Sequence, residues 1–281
     1  MKFALCQLPV GQDPTTNVNQ AVEAIKQAKA KNPDLKVVVL PECFNGPYGE
    51  EYFAQYAEKV PQGPTCQVLS KLAKSLGLYI IGGTIVEQAD GGDLYNTCTV
   101  WSPEGKLIGK HRKMHLYDIN ITSAEPVGSS SFHESSALKP GNEFTVVEIE
   151  NRKFGIGICH DIRFEELARI YRKEGCDMIV YPACFCYKQG PVQWELLQRS
   201  RANDNQLFVA AVGPARDENA AFISYGHSMA VDPWGRVMCE AGEKREIVII
   251  DIDFSMVDEV RKQIPIFEQR RTDLYDTIKK H

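Results

Sequence analysis

Apolar residues occur along this chain in two alternating styles. Short unbroken runs, such as Phe3-Ala-Leu-Cys6 and Val37-Val-Val-Leu40, suit strands buried on both faces. They predict strands over 2–8 and 36–40. Between them Val18, Ala21, Val22, Ile25 and Ala28 recur at helical spacing and trace one face of a helix that ends near Asn32-Pro33. Thr65 reads as the N-cap of a second helix, with Val68, Leu69, Leu72, Ala73 and Leu76 inside and Gly77 at its stop. A strand over 79–85 follows. Runs 94–101 and 106–110 then form a hairpin around Pro103-Glu-Gly105.

The period disappears between residues 118 and 142, a polar stretch with Pro126, Gly128 and three successive serines. A segment this long without periodicity is expected to be functional or mobile. Strands resume at 144–149 and 153–158. A helix then follows directly, with Ile162, Leu167 and Ile170 among its apolar positions and Gly175 as its stop. A strand over 178–181, a helix through 194–202 and a strand over 207–212 come next. Runs 226–231 and 236–239 pair around Asp232-Pro-Trp-Gly235, and a strand over 247–252 closes the sheet. A C-terminal helix and tail begin at about residue 254. Alternating strands and helices predict an α/β protein with helices covering sheet faces. No Ser/Gly-rich or charge-rich linker divides the chain, so residues 1–281 read as a single domain, large enough for a core that needs no covalent staples.

A net charge of −5 argues against nucleic acid or an anionic membrane as partner. Nine cysteines, an odd number with no paired framework, fit a reducing compartment; Cys6, Cys98 and Cys176 lie in apolar runs where a thiol acts as a small hydrophobe. With no signal-peptide pattern and no apolar run of membrane-spanning length, the expected location is cytoplasmic.

One cysteine is different. Cys159 ends the run Phe154-Gly-Ile-Gly-Ile158 and precedes the expected helix. At a strand-to-helix turn, free backbone N–H groups and the helix dipole favour thiolate over thiol. Two other strands end in chemistry as well: Val37-Val-Val-Leu-Pro-Glu42 delivers a carboxylate, and Lys113 follows the strand over 106–110. Ligands of open α/β sheets bind at such strand ends. A carboxylate can relay protons, an ammonium can hold an oxyanion, and a thiol can form an acyl intermediate. Each residue also has a plain reading: a buried thiol, a strand-end acid and a solvated basic turn. Other chemistries find less support. Cys184 with Cys186, or His111 with His115, lacks a second ligand pair at recognised metal spacing, so no metal is expected. Gly155-Ile-Gly157 lacks the third glycine of a dinucleotide loop. Ser224-Tyr-Gly-His-Ser228 is not a nucleophile elbow. No His-base signature of a cysteine protease flanks Cys159.

The segments LPECFNGPYG, HRKMHLYD and GIGICHDIRFEELARIY, with LYNTCTVWSPEGKLIGK, GPVQWELLQRSRANDNQ and GHSMAVDPWGRV, resemble the nitrilase superfamily of carbon–nitrogen hydrolases, nearest its omega-amidase branch. The resemblance runs from Phe3 to about Tyr275. It implies a four-layer α-β-β-α sandwich, a homodimer and no cofactor. By resemblance, Cys159 forms a thioester with an amide substrate, and Glu42 takes and returns the protons. Lys113 and the backbone N–H of His160 hold the oxyanion. Glu134 matches a second glutamate that orients the lysine, with Glu125 its nearest rival. Arg163 matches the arginine that grips a substrate carboxylate, and Tyr48 and Phe185 match pocket positions. The implied partner is a small-molecule amide of a short 2-oxo dicarboxylic acid. The alternatives within the superfamily are an N-carbamoyl amino acid amidohydrolase or another aliphatic amidase. Outside enzymology the alternative is a binding protein on a hydrolase fold. The chain departs from the family pattern at His160, where tyrosine is usual, and in Cys184-Phe-Cys186, beside the site.

Overall fold

The computed structural model describes residues 1–122 and 126–280. Its first half runs β1 (Lys2–Gln7), α1 (Pro14–Lys31), β2 (Leu35–Val39), α2 (Glu50–Phe53), α3 (Pro64–Leu76), β3 (Tyr79–Gln88), β4 (Leu94–Trp101) and β5 (Leu107–Arg112). Next come β6 (Asp118–Ile121), β7 (Ser130–His133), β8 (Thr145–Ile149), β9 (Arg152–Ile156), α4 (Glu165–Lys173), β10 (Met178–Pro182) and α5 (Gly190–Asn205). The chain finishes with β11 (Phe208–Val212), β12 (Met229–Val231), β13 (Val237–Glu240), β14 (Glu246–Asp251) and α6 (Ser255–Gln263).

Strands buried on both faces explain the layering. The strands form two six-stranded sheets, ordered β14-β1-β2-β3-β4-β5 and β13-β12-β11-β10-β9-β8. Each has a parallel centre, β1-β2-β3 in one and β9-β10-β11 in the other, flanked by antiparallel strands. Successive side chains on a strand point to opposite faces. Phe3 and Leu5 therefore join the core that holds Phe154 and Ile156 of the second sheet. Ala4 and Cys6 join a second core with Ala21 and Ile25 of α1 and with Leu69 and Leu72 of α3. Ala168 of α4 and Trp194 and Ala202 of α5 cover the second sheet. The result is an α-β-β-α sandwich. No helix among the described residues is long and apolar enough to cross a membrane.

Several expected elements are different in the structure. The strand expected over 247–252 is β14, and it leaves its sequence neighbours to pair antiparallel with β1 at the edge of the first sheet. Thr65 lies inside α3, whose N-cap is Gly63. The capping acceptor comes from outside the helix: Glu58 takes the Thr65 backbone N–H at 2.9 Å and its hydroxyl at 2.5 Å. Within 118–142 the structure has a hairpin, β6 with β7, which the polar composition concealed. The helix expected directly after Cys159 is a five-residue 3-10 turn, Cys159–Arg163, separated from α4 by the extended Phe164.

Candidate active site

Glu42 follows β2 and is fully enclosed. The β3 backbone fixes its place. Leu40 N–H donates to Ile81 O at 3.0 Å, Thr84 N–H to Pro41 O at 3.1 Å, and Cys43 N–H to the Thr84 hydroxyl at 2.8 Å. This approach needs Gly83, whose φ is +58° and where any Cβ would collide with the Pro41 carbonyl. The register of β3 against β4 breaks at this point, between Ile81 and Thr84. Pro41 and the bulge thus turn a strand end into a carboxylate mount.

Lys113 follows β5 and is also fully buried, so the solvated-turn reading fails. Its Nζ donates to Glu42 Oε1 at 3.0 Å and to the Glu134 carboxylate at 2.9–3.1 Å, with Tyr48 Oη at 3.4 Å. Burial opposes its charge, yet the carboxylates of Glu134 and Glu42 outweigh burial and hold its pKa well above the usual lysine value. Glu134, buried at the start of a 3-10 turn, accepts the Tyr117 backbone N–H at 2.6 Å. Glu125 lies outside the described residues. Glu42 is pushed above the ordinary carboxylate range, chiefly by burial, with Lys113 opposing and Glu134 reinforcing the shift. Its second oxygen accepts the Cys184 backbone N–H at 2.6 Å.

Asn96 of β4 was not singled out from sequence, although it stands in a quoted motif. Its Nδ2 bridges Glu42 Oε1 at 2.7 Å and Glu134 Oε1 at 3.3 Å, and its backbone carbonyl accepts the Lys113 backbone N–H at 2.8 Å. A buried Asn two strands from Glu42 carries no local signal; only the pairing of β3 with β4 and β4 with β5 reveals it.

Cys159 stands at the head of its turn with φ +44°, a conformation that few side chains adopt. Asp161 secures the turn. One oxygen accepts the Ile158 N–H at 2.9 Å and lies 3.3 Å from His111 Nε2; the other accepts the His115 N–H at 2.9 Å and lies 2.7 Å from His115 Nδ1. The two histidines are thus absorbed by one buried carboxylate. Among the described residues no group of three or more His, Cys, Asp or Glu is placed to hold a metal. The expected thiolate is corrected. Burial and the Glu42 charge raise the Cys159 pKa well above the usual thiol value, and Lys113 only partly opposes them. The missing α-helix removes the dipole that was to favour the anion. The resting group is a thiol next to a carboxylate.

A small cavity of about 10 Å³, room for roughly one water, touches Cys159, His160, Arg163, Phe185 and Gln189. A larger one, about 310 Å³, touches Glu42, Tyr48 and Cys184 without reaching Cys159. The thiol and the titratable groups are the better guide to the site than the larger volume, and Cys184 lines both spaces. Arg163 reaches into the first. Its guanidinium donates to Gln189 Oε1 at 3.1 Å and sits 5.1 Å over the Phe185 ring. Among the described residues no carboxylate pairs with it; the neighbouring Glu165 is bound by Arg169 at 2.8 Å. Burial lowers the Arg163 pKa. Phe185 also packs edge-on to Trp194 at 5.0 Å. Tyr48 belongs to the other side, stacked on Phe132 at 5.3 Å. The His160 ring packs edge-on to Tyr117 at 5.2 Å, and burial with the charges of Lys113 and Arg163 lowers its pKa to about 3. It is a neutral wall.

The structure therefore brings Glu42, Lys113, Glu134 and Cys159 into one buried cluster, with Arg163, Phe185 and His160 next to the thiol and Tyr48 behind the lysine. Comparison with known proteins agrees in kind. A family model described as carbon-nitrogen hydrolase matches residues 2–262. An omega-amidase NIT2 of Xenopus tropicalis is 48% identical over 99% of this chain and 98% of its own. One of Homo sapiens is 47% identical over 98% of this chain and 96% of its own. Saccharomyces cerevisiae Nit3, described as a member of branch 10 of the nitrilase superfamily, has a similar structure. Its TM-score is 0.88 at 39% identity, with 96% of each chain covered.

Proposed function

The chain belongs to the carbon–nitrogen hydrolase family, within the nitrilase superfamily, and is a hydrolase of carbon–nitrogen bonds other than peptide bonds; on that premise we propose that it is an omega-amidase. Its substrates are 2-oxoglutaramate and 2-oxosuccinamate, and its products are 2-oxoglutarate or oxaloacetate with ammonia. The observation that carries this reading is Arg163, a half-buried guanidinium with no carboxylate partner among the described residues, lining the same cavity as Cys159. A guanidinium fork suits a substrate carboxylate, and a neutral amide would leave it unanswered.

Glu42 takes the proton of the Cys159 thiol, and Sγ adds to the amide carbon. Its raised pKa favours this transfer, because a carboxylate held above its ordinary range is a stronger base toward the thiol. The oxyanion draws on Lys113 Nζ and the backbone N–H of His160. Of the three contacts of Nζ, the longest, 3.4 Å to Tyr48 Oη, is the one most easily exchanged for the oxyanion. Glu42 returns the proton to nitrogen, the carbon–nitrogen bond breaks and ammonia leaves a thioester. Glu42 then deprotonates a water, which attacks the thioester carbon; the acid departs and the thiol is restored. Glu134 and Asn96 keep Lys113 and Glu42 aligned throughout. A dicarboxylic acid monoamide is larger than the space over the thiol, so its entry moves side chains of the wall.

The same reading makes the protein a cytoplasmic homodimer without nucleic-acid or membrane partners. Exposed apolar side chains on α5 (Val192, Leu196) and at the β12–β13 hairpin (Trp234, Val237, Met238) favour self-association. The test is ammonia release from 2-oxoglutaramate, N-carbamoyl amino acids and simple nitriles in one panel. Highest kcat/KM on 2-oxoglutaramate is expected. Preference for the N-carbamoyl compounds would transfer the site to the competing amidohydrolase reading.

A further inference from the structure

Gln189 is 98% buried, 2% of it being exposed, and it lines the cavity over Cys159. Its Oε1 accepts two hydrogen bonds, from Arg163 at 3.1 Å and from Tyr117 Oη at 3.0 Å. Arg163 can only donate, so the amide atom that faces it must be the oxygen. The amide is thereby fixed in one orientation, which commits Nε2 to the remaining direction. That Nε2 is buried and has no protein partner among the described residues. A buried donor without an acceptor is costly, about 1–3 kcal/mol, and this one belongs to a residue that lines the cavity over the nucleophile. Among the described residues that line the cavity there is no carboxylate, and the charged side chain is the Arg163 guanidinium. Two coupled donors, one cationic and one neutral, therefore stand side by side next to the nucleophile.

Resting on the omega-amidase reading, we propose that Gln189 is a specificity-determining residue, whose Nε2 donates to the 2-oxo oxygen of a substrate whose neighbouring carboxylate is held by Arg163. A 2-oxo acid presents two adjacent acceptors, and the pair Arg163–Gln189 presents two adjacent donors. A 2-amino acid presents an ammonium there instead. It would meet the free Nε2 and the guanidinium with like polarity, and no acceptor remains on Gln189 to receive it. An acid without a substituent at that carbon leaves Nε2 unpaired. A site built to hydrogen-bond a substrate atom rejects analogues that lack it far more strongly than an apolar pocket can. Gln189 thus separates 2-oxoglutaramate from glutamine and from glutaramate, which share its terminal amide and chain length.

The test measures kcat/KM for 2-oxoglutaramate and glutaramate with wild type, Gln189→Met and Gln189→Glu. Gln189→Met keeps the volume and removes the donor. Gln189→Glu keeps an oxygen for Arg163 and Tyr117 and turns the free donor into an acceptor. In both variants the ratio of the two kcat/KM values should fall by roughly 10- to 100-fold. A ratio that stays within about twofold of wild type in both, including a parallel loss on both substrates, overturns the proposal and leaves Gln189 a support for Arg163. A wild type that ignores both amides and hydrolyses N-carbamoyl amino acids overturns the omega-amidase reading itself, a result distinct from an unchanged ratio.

Discussion

Lys113 and Arg163 are both cations close to Cys159, yet their surroundings are opposite. Lys113 is sealed among Glu42, Glu134 and Tyr48, and each acceptor is part of the protein. Arg163 meets one neutral amide oxygen and the face of Phe185. Around the lysine, Asn96 and two backbone N–H groups complete the carboxylates. Around the arginine, Gln189 Nε2 and His160 Nδ1 are buried without protein partners among the described residues. The charges of the reacting end are paired before substrate arrives, as preorganised electrostatics requires, and only the neutral Asn96 Oδ1 there lacks a partner among the described residues. The recognising end is completed by the ligand. On the proposed reading, the one end sets the reaction class and the other sets which amide is chosen.

Breaking the reacting end has the largest effect. Cys159→Ala removes the nucleophile and should lower turnover by roughly 10⁴- to 10⁶-fold, with circular dichroism and Tm close to wild type. Substantial residual activity would remove Cys159 from its role. Lys113→Met should cost about 100- to 1000-fold in kcat through the lost oxyanion donor. It also leaves Glu42 and Glu134 facing each other in the interior, so denaturant melts should report a stability loss of roughly 3–5 kcal/mol. A stable variant would mean that the two carboxylates share a proton in its place.

At the recognising end the loss depends on the substrate. Arg163→Met should cost about 2–5 kcal/mol in transition-state binding of 2-oxoglutaramate and 2-oxosuccinamate and far less for a neutral short-chain amide. Equal losses would assign Arg163 a structural role. The smallest effect belongs to His160, with its pKa lowered from 6.5 to about 3. Between those values the unfolded chain binds a proton that the folded chain refuses, so stability falls as pH drops from 6.5 toward 3. At pH 5 this amounts to at most about 2 kcal/mol. His160→Gln should shrink the drop in Tm between pH 7 and pH 5; an unchanged drop would mean that His160 is protonated in the folded protein.

The same contrast governs what could be read from sequence. The strand-end positions of Glu42, Lys113 and Cys159 were legible because apolar runs stop at them, and strand ends gather at one edge of a sheet. The parallel centres of both sheets follow from those runs as well. The hairpin that carries Glu134 was not legible, since its Asp-Ile-Asn-Ile and Ser-Ser-Phe-His strands are short and half exposed. The thiol form of Cys159 was misjudged because burial depends on the whole sandwich, whereas the dipole argument was local. Asn96 and Gln189 act across strands and loops, through contacts 54 and 26 residues apart in the chain to Glu42 and Arg163. No spacing rule reaches that far.

The proposed chemistry turns on one covalent event, acylation of Cys159 by a 2-oxo dicarboxylic acid monoamide. Rapid acid quenching during turnover of 2-oxoglutaramate, followed by peptide mass mapping, reads that event directly. The expected result is an adduct equal to the substrate less ammonia on the peptide carrying Cys159, abolished in Cys159→Ala. An adduct on Cys43, Cys184 or Cys186, or steady turnover by a protein that never acquires one, would contradict it.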